Sequence, residues 1–193
     1  MVQRPGGADF APNAWVFPGG TVIEDDRSFD DELRAAATRE LFEEAGILLA
    51  SGAREAECRR VRREVARGAA FGEALRKAGL KPAHQELLLF ARWVTPAQVR
   101  RRYDARFYLA RLPDGQAITP QEGEVTDWRW TSPGQALADA DFTLVYATRA
   151  VLESVAGTSD VDSLFAWARG LKDVPVVEPR IVQTDAGWEI VRD

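Results

Sequence analysis

An α+β fold is what the order of patterns along this 193-residue chain predicts. Three observations carry that reading. A short apolar run, Ala14-Trp15-Val16-Phe17, leads through Pro18-Gly19-Gly20 and a loop into a charged helical stretch, so strand, turn and helix form one unit. An Ala-, Arg- and Glu-rich segment with helical spacing follows it. Strand patterns then return between 86 and 130. The length suits one domain with an appendage. We expect a single domain over 1–193, with a helical insertion at about 49–82 and a helical plus hairpin extension at about 141–193.

Taken in order, Met1-Val2-Gln3-Arg4-Pro5 reads as the end of a strand, and Ala14 to Phe17 as a second one. The charged helix around Arg39 stops at Gly46. In the insertion, Cys58, Val61 and Val65 form one apolar stripe, and Phe71, Ala74, Leu75 and Ala78 form another before Gly79. Two helices are therefore expected there. Arg59, Arg60, Arg62, Arg63 and Arg67 crowd the first, with Glu55 one turn before Arg59. The arginines read as a solvated face, with phosphate binding as the sharper alternative. Residues 86–94 and 106–110 read as strands, the second closed by the turn signal Pro113-Asp114-Gly115. Residues 125–130 alternate so that Thr126, Trp128 and Trp130 share a face, and Ser132-Pro133 opens a helix. Further helices are expected over 142–156 and from Asp160 to Ala168. A hairpin is expected over 174–191, turning at Asp185-Ala186-Gly187. Trp167 and Trp188 read as core or homodimer-interface residues.

The chemistry concentrates in Arg39-Glu40-Leu41-Phe42-Glu43-Glu44-Ala45-Gly46-Ile47. Glu40, Glu43 and Glu44 stand at i, i+3 and i+4, on one helix face. Carboxylates that close repel one another unless a cation relieves them, and oxygen-only ligands suit Mg²⁺ or Mn²⁺ rather than zinc. An acidic solvated face is the plain alternative.

With Pro-Gly-Gly upstream, this stretch resembles the Nudix hydrolases, whose signature is G-x5-E-x7-R-E-U-x-E-E-x-G-U with U a bulky aliphatic. The right half matches from Arg39 to Ile47. Counting seven residues back from Arg39 reaches Asp31 where the family has glutamate, which places five extra residues within 21–30. In the family this acid orients the motif arginine. Glu32 serves if the register shifts by one, and Glu24, Asp25 and Asp26 read as a surface excursion or as added acidic ligands. The phrases Ala91-Arg92-Trp93-Val94-Thr95-Pro96 and Arg101 to Tyr108 are similar to the branch that includes acyl-CoA diphosphatases. The coenzyme A fingerprint Leu-Leu-Thr-x-Arg of other members is not recognisable before Gly19.

The resemblance implies an α/β/α sandwich, a mixed sheet flanked by helices, and attack of water on a diphosphate linked to a further moiety, supported by Mg²⁺ or Mn²⁺. It implies metal ligands at the Gly19 carbonyl, Glu40, Glu43, Glu44 and Glu124. Catalytic roles fall to Arg39, Glu43, Glu44 and Glu124, with Glu122 a further candidate base. Arg102, Tyr103, Arg106 and Phe107, with Trp93, are candidate substrate contacts. CoA or acyl-CoA leads as substrate. ADP-ribose, a nucleotide sugar or a dinucleotide is the alternative, and a non-catalytic nucleotide-binding module is the third reading.

Bulk properties agree with a soluble enzyme. Hydrophobic residues make up 46% and charged ones 28%, and the net charge of −5 favours neither a nucleic acid polymer nor an anionic membrane as partner. A lone Cys58 excludes an intrachain disulfide and a multi-cysteine zinc site. The only histidine, His84, lacks a Gly-x-Ser-x-Gly elbow and reads as structural or exposed. No signal pattern or 18-residue apolar run is present, so a cytoplasmic location is expected.

Overall fold

The computed structural model describes every residue except 121, 122, 186 and 193. In chain order its elements are β1 (Val2–Gln3), β2 (Trp15–Val16), α1 (Glu32–Ala45), α2 (Glu55–Ala66), α3 (Phe71–Ala78), β3 (Leu88–Val94) and β4 (Asp104–Leu109). Then come β5 (Asp127–Trp128), α4 (Pro133–Ala138), α5 (Tyr146–Val155), α6 (Val161–Gly170), β6 (Val176–Val177), β7 (Arg180–Thr184) and β8 (Gly187–Val191). They form two units, Met1–Leu87 with Ala110–Gly157, and Leu88–Leu109 with Thr158–Asp193.

In the first unit β1 is the middle strand of a small antiparallel sheet ordered β2-β1-β5. α1 begins where Asp31 accepts a hydrogen bond from the Arg34 amide at 3.0 Å. It ends where Gly46 takes the left-handed conformation at φ 76° and returns its N–H to the Phe42 carbonyl. A side chain at Gly46 would also overlap the Arg62 guanidinium, so two demands fix glycine there. Both insertion stripes are buried. Cys58 and Val61 from α2 and Phe71, Ala74 and Leu75 from α3 close a core with Phe42 of α1 and Leu48, and Val65 and Ala78 flank it. Each large apolar side chain buried there contributes roughly 1.5–3 kcal/mol. The insertion is therefore built onto the motif helix through a shared core.

Three expectations shift in detail. The helix expected over 142–156 starts only at Tyr146, because Phe142 packs its ring on Trp15, centroids 4.6 Å apart, and the Thr143 carbonyl accepts from the Trp15 amide. β5 keeps only two residues of the expected 125–130 strand. Its aromatic face points outward, with Trp130 66% exposed. His84 starts a 3-10 turn, His84–Glu86, so the strand expected from 86 begins at Leu88. The histidine sits edge-on to Phe29, and its Nδ1 is buried with no hydrogen-bond partner among the described residues, in keeping with a structural role.

In the second unit β3 pairs antiparallel with β4 and parallel with β6, which makes this sheet mixed. β7 and β8 form a hairpin over 180–191, shorter than the expected 174–191 because β6 pairs with β3 instead, and Ala186 of the expected turn lies outside the described residues. Trp167 packs edge-on against Phe90, whereas Trp188 is 72% exposed on the hairpin rather than in a core. Among the described residues no helix is long and apolar enough to cross a membrane.

Candidate active site

Arg39 is the hub of the acidic helix. It is 4% exposed, and its Nε and Nη2 donate to the two oxygens of Asp26, each at 3.0 Å. Nη1 donates to Glu40 and to Glu43 at 2.7 Å each, and Nη2 also reaches the Thr21 carbonyl. Burial works against a charged guanidinium, but Asp26, Glu40 and Glu43 outweigh it and hold the group charged far above the working range.

The acid that orients Arg39 is therefore Asp26, not Asp31 or Glu32. Asp31 is spent on the α1 cap, and Glu32 is exposed beside Arg27. Measured from the glycine side the signature spacing holds, because five residues separate Gly20 from Asp26. The five extra residues lie between Asp26 and Arg39. Of the loop acids, Glu24 makes a surface pair with Arg27, while Asp25 turns to the Gly72 amide.

The glycine pair seats two of the three helix carboxylates. A Cβ on Gly20 would overlap the Glu40 carboxylate, so only glycine leaves that cradle open. The Gly19 amide donates to Glu44 Oε2 at 3.0 Å. Burial pushes the Glu44 carboxyl up to about 7, reinforced by Glu40 and Glu124 and partly offset by the Gly19 hydrogen bond and Arg4. Burial also pushes Glu43 up, against the pull of Arg39.

Glu44 and Glu124 line one cavity of about 260 Å³, together with Val2, Gln3, Arg4, Val16 and Val125. Arg4, its sole basic side chain, was not foreseen. Its Nε holds the Phe10 carbonyl at 2.9 Å, and a lone arginine near a chain start carries no spacing signal. Gln116 was also missed. Its amide group bonds both the N–H and the carbonyl of Leu48, mimicking a strand partner behind the motif. The candidate base Glu122 lies outside the described residues.

Among the described residues, no three acidic, histidine or cysteine side chains stand close enough to form a ready cation site. The donors nonetheless fit a hard divalent ion. They are all oxygen, and Glu40 and Glu124 raise the affinity of Glu44 for positive charge.

The other candidate contacts serve their own unit. Arg102 pairs with Glu178 and donates to the Thr95 carbonyl. Arg106 and Arg92 share Asp104. The Tyr103 amide bonds Thr95 Oγ1, and its ring lies under Arg101. Phe107 faces Ala91 in the β3–β4 register.

Residues 29–146 match the family model of the NUDT19 Nudix domain. The chain belongs to the Nudix family. A Caenorhabditis elegans relative named nudix hydrolase 7 is 32% identical over 145 residues, covering 72% of this chain and 48% of that protein. A Xenopus laevis relative, acyl-coenzyme A diphosphatase NUDT19, is 24% identical, covering 72% of the chain and 53% of that protein. The chain thus spans about half the length of these curated relatives. The crystal structure of a NUDIX hydrolase from Alicyclobacillus acidocaldarius superposes with a TM-score of 0.69 at 24% identity, over 90% of this chain and 88% of that one. The fold is of Nudix type, a mixed sheet with flanking helices, as the motif implied.

Proposed function

We propose that this Nudix chain is a divalent-metal-dependent hydrolase that cleaves a diphosphate bond in a nucleoside-diphosphate-linked small molecule, with CoA or acyl-CoA leading. The observation that carries the reading is the seating of Glu40 and Glu44 by Gly20 and Gly19, with Glu44, Glu124 and Arg4 on one cavity. The name of the Xenopus relative supports the CoA preference.

Glu40, Glu43, Glu44, Glu124 and the Gly19 carbonyl would hold Mg²⁺ or Mn²⁺. When bound, the ion neutralises diphosphate charge and lowers the pKa of water. Arg39, locked by Asp26, keeps Glu40 and Glu43 aimed. Arg4 offers the positive charge that orients the diphosphate. Glu124 and Glu43 are the candidate groups to take the water's proton.

Hydrolysis should stop on exhaustive chelation and return with Mg²⁺ or Mn²⁺, read as product release from a substrate panel. Full turnover without metal would remove the metal-hydrolase reading. Within the panel, CoA should be cleaved with higher kcat/KM than dephospho-CoA. Arg60→Gln and Arg63→Gln, two exposed positions of α2, should narrow that gap. A lost arginine–phosphate contact costs about 1.5–3 kcal/mol, roughly tenfold to a hundredfold. Equal values for both compounds would dismiss the 3′-phosphate argument. Faster cleavage of ADP-ribose or a nucleotide sugar would move the substrate class there.

A further inference from the structure

We infer that the expanded motif loop and the helical insertion form one device, in which Asp25 is a positioning residue for Arg39. The inference rests on the hydrolase reading for its kinetic consequence, but its geometry stands apart from it.

Asp25 and Asp26 are consecutive residues of a 3-10 turn, Asp25–Ser28, and their side chains reach different helices. Asp26, 1% exposed, takes both Arg39 bonds on α1 and is pinned by the Ile23 amide at 2.9 Å. Asp25 Oδ2 accepts from the Gly72 amide at 3.0 Å, in the first turn of α3. That helix has Ala70 at its N-cap, which offers no side-chain acceptor. Asp25 therefore supplies the cap from a distant segment, with its charge at the favourable end of the helix.

Phe29, just past the turn, makes a second tie. Its ring lies so near Gly72 that a Cβ there would stand 3.0 Å from Cζ, and it also stands edge-on to His84, which follows α3. The α3 residue Phe71 packs on Phe42 of α1, centroids 5.5 Å apart. The insertion thus grips α1 through the core and, separately, grips the turn that holds α1's arginine. Phe29 lies among the residues between Asp26 and Arg39 where the extra five fall. The two departures from ordinary family spacing meet at Gly72.

If the α3 tie is cut, the turn loses its outer anchor and Asp26 no longer presents both oxygens to Arg39 at fixed angles. Glu40 and Glu43 share Arg39 Nη1, so their aim loosens with it. Small misplacements of this kind act on kcat, by about tenfold to a hundredfold.

The test compares Asp25→Ala, Asp25→Asn, Gly72→Ala and Asp31→Ala in the full chain. Asp31 is the matched control, since it caps α1 through an equivalent 3.0 Å bond without reaching Arg39. Readouts are kcat, KM, Tm and exchange of the Arg39 Nε–H proton by NMR. We expect Asp25→Ala to lower kcat with KM near wild type and to expose the Nε–H to exchange. Asparagine, still able to accept from Gly72, should restore both. Gly72→Ala, which presses a methyl on Phe29, should repeat the loss from the α3 side. Asp31→Ala should lower Tm comparably yet keep the Nε–H protected. Equal kinetic effects of Asp25→Ala and Asp31→Ala, or an Arg39 Nε–H unchanged in both clamp variants, would overturn the inference. Should the wild type cleave no diphosphate, the hydrolase reading falls, and the exchange comparison still decides the clamp.

Discussion

Glu44→Gln, and equally Glu40→Gln, should cut turnover by about 10²–10³-fold, because each removes fixed charge from where the diphosphate is to be neutralised. The same Glu44 substitution should stabilise the metal-free protein at high pH. Burial raises the Glu44 carboxyl from its ordinary 4.5 to about 7, so between those values the folded state binds more proton than the unfolded state. The stability is fully present below pH 4.5 and is lost as pH rises through 7, by up to about 3 kcal/mol. A glutamine there has no proton to lose, and its amide oxygen still accepts from Gly19. In chelator, the variant should therefore melt above wild type at pH 8, with the gap closing toward pH 4.5. Near-native turnover in both variants would refute the site. A glutamine variant that melts below wild type at pH 8 would refute the burial argument.

What could be read from the sequence was local. Glu40, Glu43, Glu44 and Gly46 declare a helix face and its stop within nine residues. The Cys58–Val61 and Phe71–Leu75 stripes announce two helices by spacing alone, and both stripes are buried. What could not be read depended on which of several equivalent side chains the fold buries. Counting back from Arg39 selects Asp31, and counting forward from Gly20 selects Asp26. The sequence offers both rulers, and only the 3-10 turn, which drives Asp26 inward, decides between them. Arg4 and Gln116 likewise gain their roles from partners 40 and 68 positions away, with no pattern nearby. The late start of α5 has the same origin, since Phe142 is claimed by the Trp15 ring before it can join a helix.

The largest stability loss is expected from Asp26→Asn. Asp26 and Arg39 are 1% and 4% exposed, and their two 3.0 Å bonds put both charges out of reach of water. The amide keeps one acceptor for Arg39 Nε. Its NH₂, in the place of Oδ2, then faces both Arg39 Nη2 and the Ile23 amide, two donors. The buried guanidinium keeps the partly buried Glu40 and Glu43 as charged partners but loses its fully buried one, and stranding one partner of such a pair costs about 3–5 kcal/mol. Asp26→Glu keeps the charge but forces an extra methylene into a closed site, at about 1–3 kcal/mol. Asp31→Ala, by contrast, removes only a helix cap, worth about 1 kcal/mol. Urea unfolding of the three variants should rank Asp26→Asn first, Asp26→Glu between, and Asp31→Ala last. If Asp31→Ala proved the costliest, the acid counted back from Arg39 would be the one that holds it, and the buried pair at Asp26 would lose its place as anchor of the site.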